Sequence, residues 1–364
     1  MNRTLMIFLI LIPVLFSPNK AGAFDWDYKD AKFDLTASSI LGERSEFENW
    51  RQAPLTYLRE QFAHAIETAP VVIGTGRTIK RNGFSIEHID LLFANVAESG
   101  ADLHYSVAVA TPDAPNAELP TLIAINGHGE VGGEGHGQAP TTLFDDNGYG
   151  AYLARKGFTV IAFPNTIHGP FAELSRTVDY SIIWARLADM ALTKIKPQLN
   201  SKPEYIGLGN AAGGLTTVVL TIMRPDIKAM AANGAFFSLE HTRREYRIFT
   251  HPFCHDFRAF FSYSAVYALL APKPLLIEEG KHDGLWLGYG PGHPESWFSG
   301  TKRGAISDET IGAFLELKQI WAKYGSDVQL DIHEKGHEDF DAPTFLAFVQ
   351  RIDSTPETPD QPMK

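Results

Sequence analysis

The chain has 364 residues, a formal net charge of −11 and a single cysteine, Cys254. Its length suits one large α/β domain or two ordinary ones with a substantial core. The acidic balance disfavours nucleic acid as a partner, because phosphate backbones are repelled, and a lone thiol argues against a disulfide-stapled module.

The first 23 residues read as an export leader. Arg3 supplies a short positive start, "LMIFLILIPVLF" an apolar stretch, and Ala21, Gly22 and Ala23 the small residues for cleavage. The apolar run is shorter than the roughly 20 residues that span a bilayer, so cleavage after Ala23 and a periplasmic or secreted mature chain are expected, with no membrane attachment afterwards. Residues 24–116 carry a helical stretch, "FENWRQAPLTYLREQFAHAIE", and then extended segments at "HIDLLFANVAES" and "LHYSVAVATP". In the last of these His104, Ser106 and Ala108 alternate with Tyr105, Val107 and Val109, the period of a half-buried strand. The expectation is a helical lead-in followed by an antiparallel opening hairpin.

Residues 117–353 change pattern. Short apolar strands alternate with helices: "PTLIAING", "YGAYLARKG", "FTVIAFPN", "VDYSIIWARLADMALTKIKP", "EYIGLGN", a helix from about Ala212 to Met223, "IKAMAANGAF", "KPLLIEEG", "ETIGAFLELKQIWAKYG", "VQLDIHE" and "APTFLAFVQRI". Such alternation predicts an α/β fold with a mostly parallel sheet covered on both faces. Ligands of these sheets sit beyond the carboxyl ends of the strands, so chemistry belongs in the loops that follow them. The tail, 354–364, contains three prolines and no apolar period and is expected to be frayed.

Three of those loops carry a pattern. "EYIGL" runs into Gly209-Asn210-Ala211-Ala212-Gly213, which fits G-x-S-x-G everywhere but the centre; "KPLLIEEG" is followed by His282-Asp283, and "VQLDIHEKG" by His337-Glu338-Asp339. On these motifs residues 119–349 resemble the α/β-hydrolases, in the acetyl-xylan-esterase-like or dienelactone-hydrolase-like branch. "INGHGEVGG" resembles that branch's His-Gly-His-Gly-Gly segment with Asn126 at the first histidine, and "FCHDFRAFFSYSAVYALLAPKPLLIEEGKHD" its Cys-His…Ala-Pro-Arg-Pro-Leu-Leu…Gly…Asp stretch with Lys273 in place of arginine.

The resemblance implies roles. Ala211 stands at the nucleophile position, where the serine is absent. His337 is the expected base and Asp283 the acid that fixes its tautomer. The backbone of Ala212, with the loop at His128 and Gly129, is the expected oxyanion donor set. Glu278 and Glu279 compete with Asp283 for the acid position but lie nearer the strand. Neither Asn210, with its weakly nucleophilic amide, nor Cys254, in a connection away from the elbow, replaces the missing hydroxyl. His128, Glu130, Glu134 and His136 crowd one glycine-rich loop, but their spacing is unlike a helical zinc motif, and no metal ion or cofactor is expected.

Three functions remain open at this level. The first is an exported carboxyl-ester hydrolase scaffold for a carbohydrate or small acyl ester, with Ala211 native to it or substituted for serine. The second is a non-covalent enzyme in which His337 and Asp283 activate water or abstract a proton. The third is a structural or interaction protein.

Overall fold

The computed structural model describes residues 33, 35, 42–76, 78–96, 100–127, 136–137, 141–145, 148–165, 174, 178–199, 204–236, 263–281, 308–336 and 340–354. The proposed leader, Cys254, and the tail from residue 355 lie outside the described residues.

The lead-in helix α1 (Arg44–Ala65) begins with a reciprocal capping box between Glu43 and Glu46 and buries Phe47, Leu55, Leu58 and Phe62 along one side. Two strands absent from the sequence reading follow it, β1 (Val71–Thr75) and β2 (Ile79–Arg81). Both pair antiparallel with β3 (Phe84–Phe93). β3 begins four residues before the expected segment and pairs along its full length with β4 (Leu103–Pro112), which is the expected hairpin. The alternation in β4 holds only over its first half: Leu103, Tyr105 and Val107 are buried while His104 is exposed. From Val107 to Ala110 every residue is buried, because both faces are covered there: Val107 and Val109 belong to one core and Ala108 and Ala110 to the other.

β5 (Thr121–Ile125) is buried throughout and precedes a two-residue strand, β6 (His136–Gly137), which pairs with β4. Then come α2 (Tyr149–Arg155), β7 (Val160–Phe163) and α3 (Tyr180–Ile195), the last capped by the Asp179 carboxylate accepting from the Ser181 N–H at 2.8 Å. β8 (Tyr205–Asn210) leads into α4 (Ala212–Met223), and β9 (Ile227–Asn233) into α5 (Tyr263–Ala268). β10 (Leu275–Gly280), α6 (Asp308–Ala322), β11 (Val328–His333) and α7 (Ala342–Ser354) complete the order.

Among the described residues the strands form one 11-stranded sheet, nine of them in the order β1-β3-β4-β7-β5-β8-β9-β10-β11, with β2 attached to β3 and β6 to β4 off that path. From β7 to β11 every neighbouring pair is parallel. Continuously apolar strands of this kind need cover on both faces, and two cores supply it. One packs α1, α3, α4, α5 and α6 against the sheet through residues such as Trp184, Val218, Tyr267 and Trp321. The other packs α2 and α7 through Phe144, Leu153, Phe345 and Phe348. The sheet's carboxyl ends therefore point out of a rigid, fully sandwiched slab, which fixes where each following loop begins.

Candidate active site

β8 turns into α4 through a single residue, Ala211, with φ 48° and ψ −124°. A side chain of L configuration is strained there, since the Cβ crowds the neighbouring peptide. Such conformations persist only where the surroundings over-determine them, and here they do. The Ala211 N–H donates to the Asn233 carbonyl at 2.9 Å, and the Gly214 N–H to the Ala211 carbonyl at 2.8 Å. The turn also closes more tightly than any side chain allows. A Cβ on Gly209 would lie 2.5 Å from the Gly213 carbonyl oxygen, and one on Gly213 would run into the carbonyl oxygens of Ile125 and Asn126. A tight strand-to-helix turn thus stands where the elbow is expected, and its tip carries a methyl group.

Ala212 opens the 12-residue helix α4. Among the described residues no acceptor takes its N–H, and the helix N-terminus adds positive potential. The strand on the other side of the elbow approaches closely. A Cβ on Gly127 would stand 3.1 Å from Asn210 Oδ1 and 3.3 Å from the Ala211 Cβ. The loop after β5 therefore starts against the elbow, its base fixed by the Asn165 side chain donating to the Asn126 carbonyl at 2.9 Å. His128 and Gly129, the expected second source of oxyanion donors, begin one residue later and lie outside the described residues. Gly127 was missed in the sequence because a glycine beside Asn126 has no one-dimensional sign of touching residue 211.

The acid and histidine loops leave neighbouring strands at one level. Gly280 pairs in register with His333, and the Lys281 N–H donates to the His333 carbonyl at 2.9 Å. A Cβ on Gly280 would lie 2.5 Å from the Lys335 carbonyl oxygen and 2.6 Å from that of Gly336. Asp283 and His337 follow these two anchored stems, two residues beyond Lys281 and one beyond Gly336. Both lie outside the described residues, as do Glu130 and Glu134.

The competing acids sit inside β10 on opposite faces. Glu279 accepts the Phe236 N–H at 2.9 Å. Glu278 is fully buried, and burial first, then the charges of Asp331 and Asp341, push its carboxyl up to about 9. Lys273, the residue replacing the motif's arginine, works at the far end of the elbow helix. Its ammonium donates to the carbonyls of Thr221 at 2.6 Å and Arg224 at 2.8 Å, filling acceptors that a helix end leaves open. Burial lowers it to about 8, helped by Lys228 and opposed by Asp226. Among the described residues no group of three or more His, Cys, Asp or Glu side chains is arranged to hold a metal ion, and no helix is long and apolar enough to cross a membrane.

No protein-family model matches the chain, and no curated protein matches it in sequence. Solved structures do match. A protein described as an acetyl xylan esterase from Bacteroides fragilis superposes with a TM-score of 0.53 at 17% identity, covering 83% of this chain and 78% of its own. A methylesterase gives 0.57 at 16% identity, covering 89% and 67% respectively. A glucuronoyl esterase from Solibacter usitatus gives 0.55 at 10% identity, covering 86% and 96%. At such identities the likeness is one of fold, and the chain has the α/β-hydrolase fold.

Proposed function

We propose that this chain is an exported carboxyl-ester hydrolase scaffold, of the kind that handles carbohydrate or small acyl esters, in which Ala211 replaces the nucleophilic serine. It would bind an ester-like ligand without covalent turnover. One observation carries the reading: Ala211 holds a strained backbone, φ 48° and ψ −124°, at a tight strand-to-helix turn, the geometry that would lift a nucleophile into a cleft, on a side chain that has no nucleophile to present. The structural neighbours named for acetyl xylan, methyl and glucuronoyl esters support the ligand class.

In this reading each remaining group keeps the role that the resemblance assigns. The Ala212 N–H and the loop at His128 and Gly129 would hold the ester carbonyl oxygen, favouring negative charge there. His337 would stand where a base takes the proton of an attacking hydroxyl, with Asp283 fixing its tautomer. Without the hydroxyl no acyl-enzyme forms. Removing a triad serine costs on the order of 10⁶ in turnover, while about 10³ to 10⁴ over water survives from oxyanion stabilisation and binding.

Installing Ala211→Ser tests the reading, with acetylated sugars and short acyl esters as substrates and a fluorophosphonate as covalent probe. The serine variant is expected to label and to hydrolyse, while the parent does neither. If the variant neither labels nor turns over, the elbow or the remaining triad has been misassigned. Hydrolysis by the parent that disappears with His337→Ala would favour water activation by the His337–Asp283 pair instead.

A further inference from the structure

Three polar side chains fall in one row across the last three strands. Asn233 on β9 pairs in register with Glu278 on β10, and Glu278 with Asp331 on β11. They leave the face covered by α2 and α7, since Ala231 and Leu276, two residues earlier on their strands, belong to that core. Asn233 is 2% exposed and Glu278 0%. Neither end of the Asn233 amide, neither Glu278 oxygen, nor Oδ2 of Asp331 has a hydrogen-bond partner among the described residues. The Asp341 backbone N–H hydrogen-bonds weakly toward the Glu278 carboxyl and lowers its pKa, outside the geometry of an ordinary hydrogen bond. The nearby Lys335 ammonium is engaged elsewhere, donating to the Phe340 carbonyl at 3.1 Å and to Asp341 Oδ1 at 3.2 Å.

Buried polar atoms are almost always satisfied, so orphans concentrated at one spot call for a partner. Their chemistry says which. Four of the five atoms are oxygens and one is an amide nitrogen. A shared proton joins one pair of oxygens and a water molecule has two hydrogens to give, whereas a cation satisfies all four oxygens together. We propose that Asn233, Glu278 and Asp331 form a site for a hard divalent cation, with calcium the fitting ion. Two carboxylates balance its charge, and an all-oxygen donor set excludes softer metals. Calcium accepts irregular shells of six to eight oxygens, which three side chains and water can supply, whereas magnesium demands a near-ideal octahedron. β11 is the edge strand and Asp331 is half-buried, so the ion enters from that edge and completes its shell with water. The sequence reading weighed a metal only at the loop of His128, Glu130, Glu134 and His136; Asn233, Glu278 and Asp331 are scattered over about a hundred positions and meet only in the sheet.

The site is independent of the ester-hydrolase reading, and so is its test. After chelation with EGTA, the full chain is unfolded thermally in rising calcium chloride, with magnesium chloride and sodium chloride controls at equal ionic strength, and calcium binding is followed by calorimetry. Calcium is expected to raise the midpoint saturably by several degrees, magnesium much less, and both Glu278→Gln and Asp331→Asn to abolish the rise and the binding heat. A parent that shows neither a calcium-dependent midpoint nor binding heat overturns the site. So does a calcium response that survives both substitutions. A parent indifferent to calcium, yet less stable than Glu278→Gln by a margin that widens as pH rises, shows that the row holds a proton.

Discussion

Ala211 costs stability whatever it does for function. Its backbone lies where a non-glycine residue is strained by roughly 1–3 kcal/mol, and glycine escapes that strain at an unfolded-state entropy cost of roughly 0.4–1 kcal/mol. Ala211→Gly is therefore expected to stabilise the chain by about 1 kcal/mol, read as a higher urea midpoint with an unchanged slope. Ala211→Ser keeps the same Cβ and should leave the midpoint nearly where it is. Gained hydrolysis would then reflect chemistry rather than repaired folding. The sequence revealed this position because two glycines frame it at fixed spacing after an apolar run. It did not reveal Gly127 or the Asn233, Glu278 and Asp331 row, whose neighbours are set by strand register and lie far off along the chain.

At the scale of elements, α4 is fixed at both ends, and its far end makes a second test. Lys273 gives its ammonium to the Thr221 and Arg224 carbonyls, while the Arg224 guanidinium spans Asp189 at 2.6 Å and Asp226 at 2.7 Å. Lys273 titrates at about 8 in the folded chain against 10.5 for a free lysine. Between those values the unfolded chain holds a proton that the folded chain has released, so stability from this residue rises with pH across the window. The neutral amine still has hydrogens for both carbonyls. Lys273→Met should thus be less stable than the parent by about 1–2 kcal/mol near pH 7, for two lost hydrogen bonds. The gap should widen by on the order of 3 kcal/mol between about pH 8 and pH 10.5. Urea midpoints of both proteins at those values decide it; a gap that stays constant means that Lys273 is not perturbed as its burial implies.

Strand and helix alternation from residue 119 onward was legible because each strand is a short apolar run and each helix has its own period. The order of strands in the sheet was not, since β7 passes outside β5 by a crossover that leaves no local mark. β1 and β2 were hidden for another reason: each is short and pairs only with β3, leaving Val71 and Ile73 half exposed, so neither shows a clean buried period. What the whole molecule adds is convergence. Loops from β5, β8, β10 and β11 open at one end of the slab, and Gly280 is where two of them are held together, because the backbone of Lys335 and Gly336 occupies the space of its missing side chain. Gly280→Ala must displace one stem from the other. In the Ala211→Ser background it is expected to slow fluorophosphonate labelling by at least tenfold, since small misplacements of a catalytic group cost that much or more, and to lower stability by about 1–3 kcal/mol, read as a lower urea midpoint. The control is Gly312→Ala, inside α6 with open space around it, which should leave labelling unchanged and raise stability by roughly 0.5–1 kcal/mol, the usual advantage of alanine over glycine in a helix. Labelling that proceeds at the Ala211→Ser rate despite Gly280→Ala would mean that the β10 and β11 stems do not jointly place the base, and the assignment of Asp283 and His337 would fall with it.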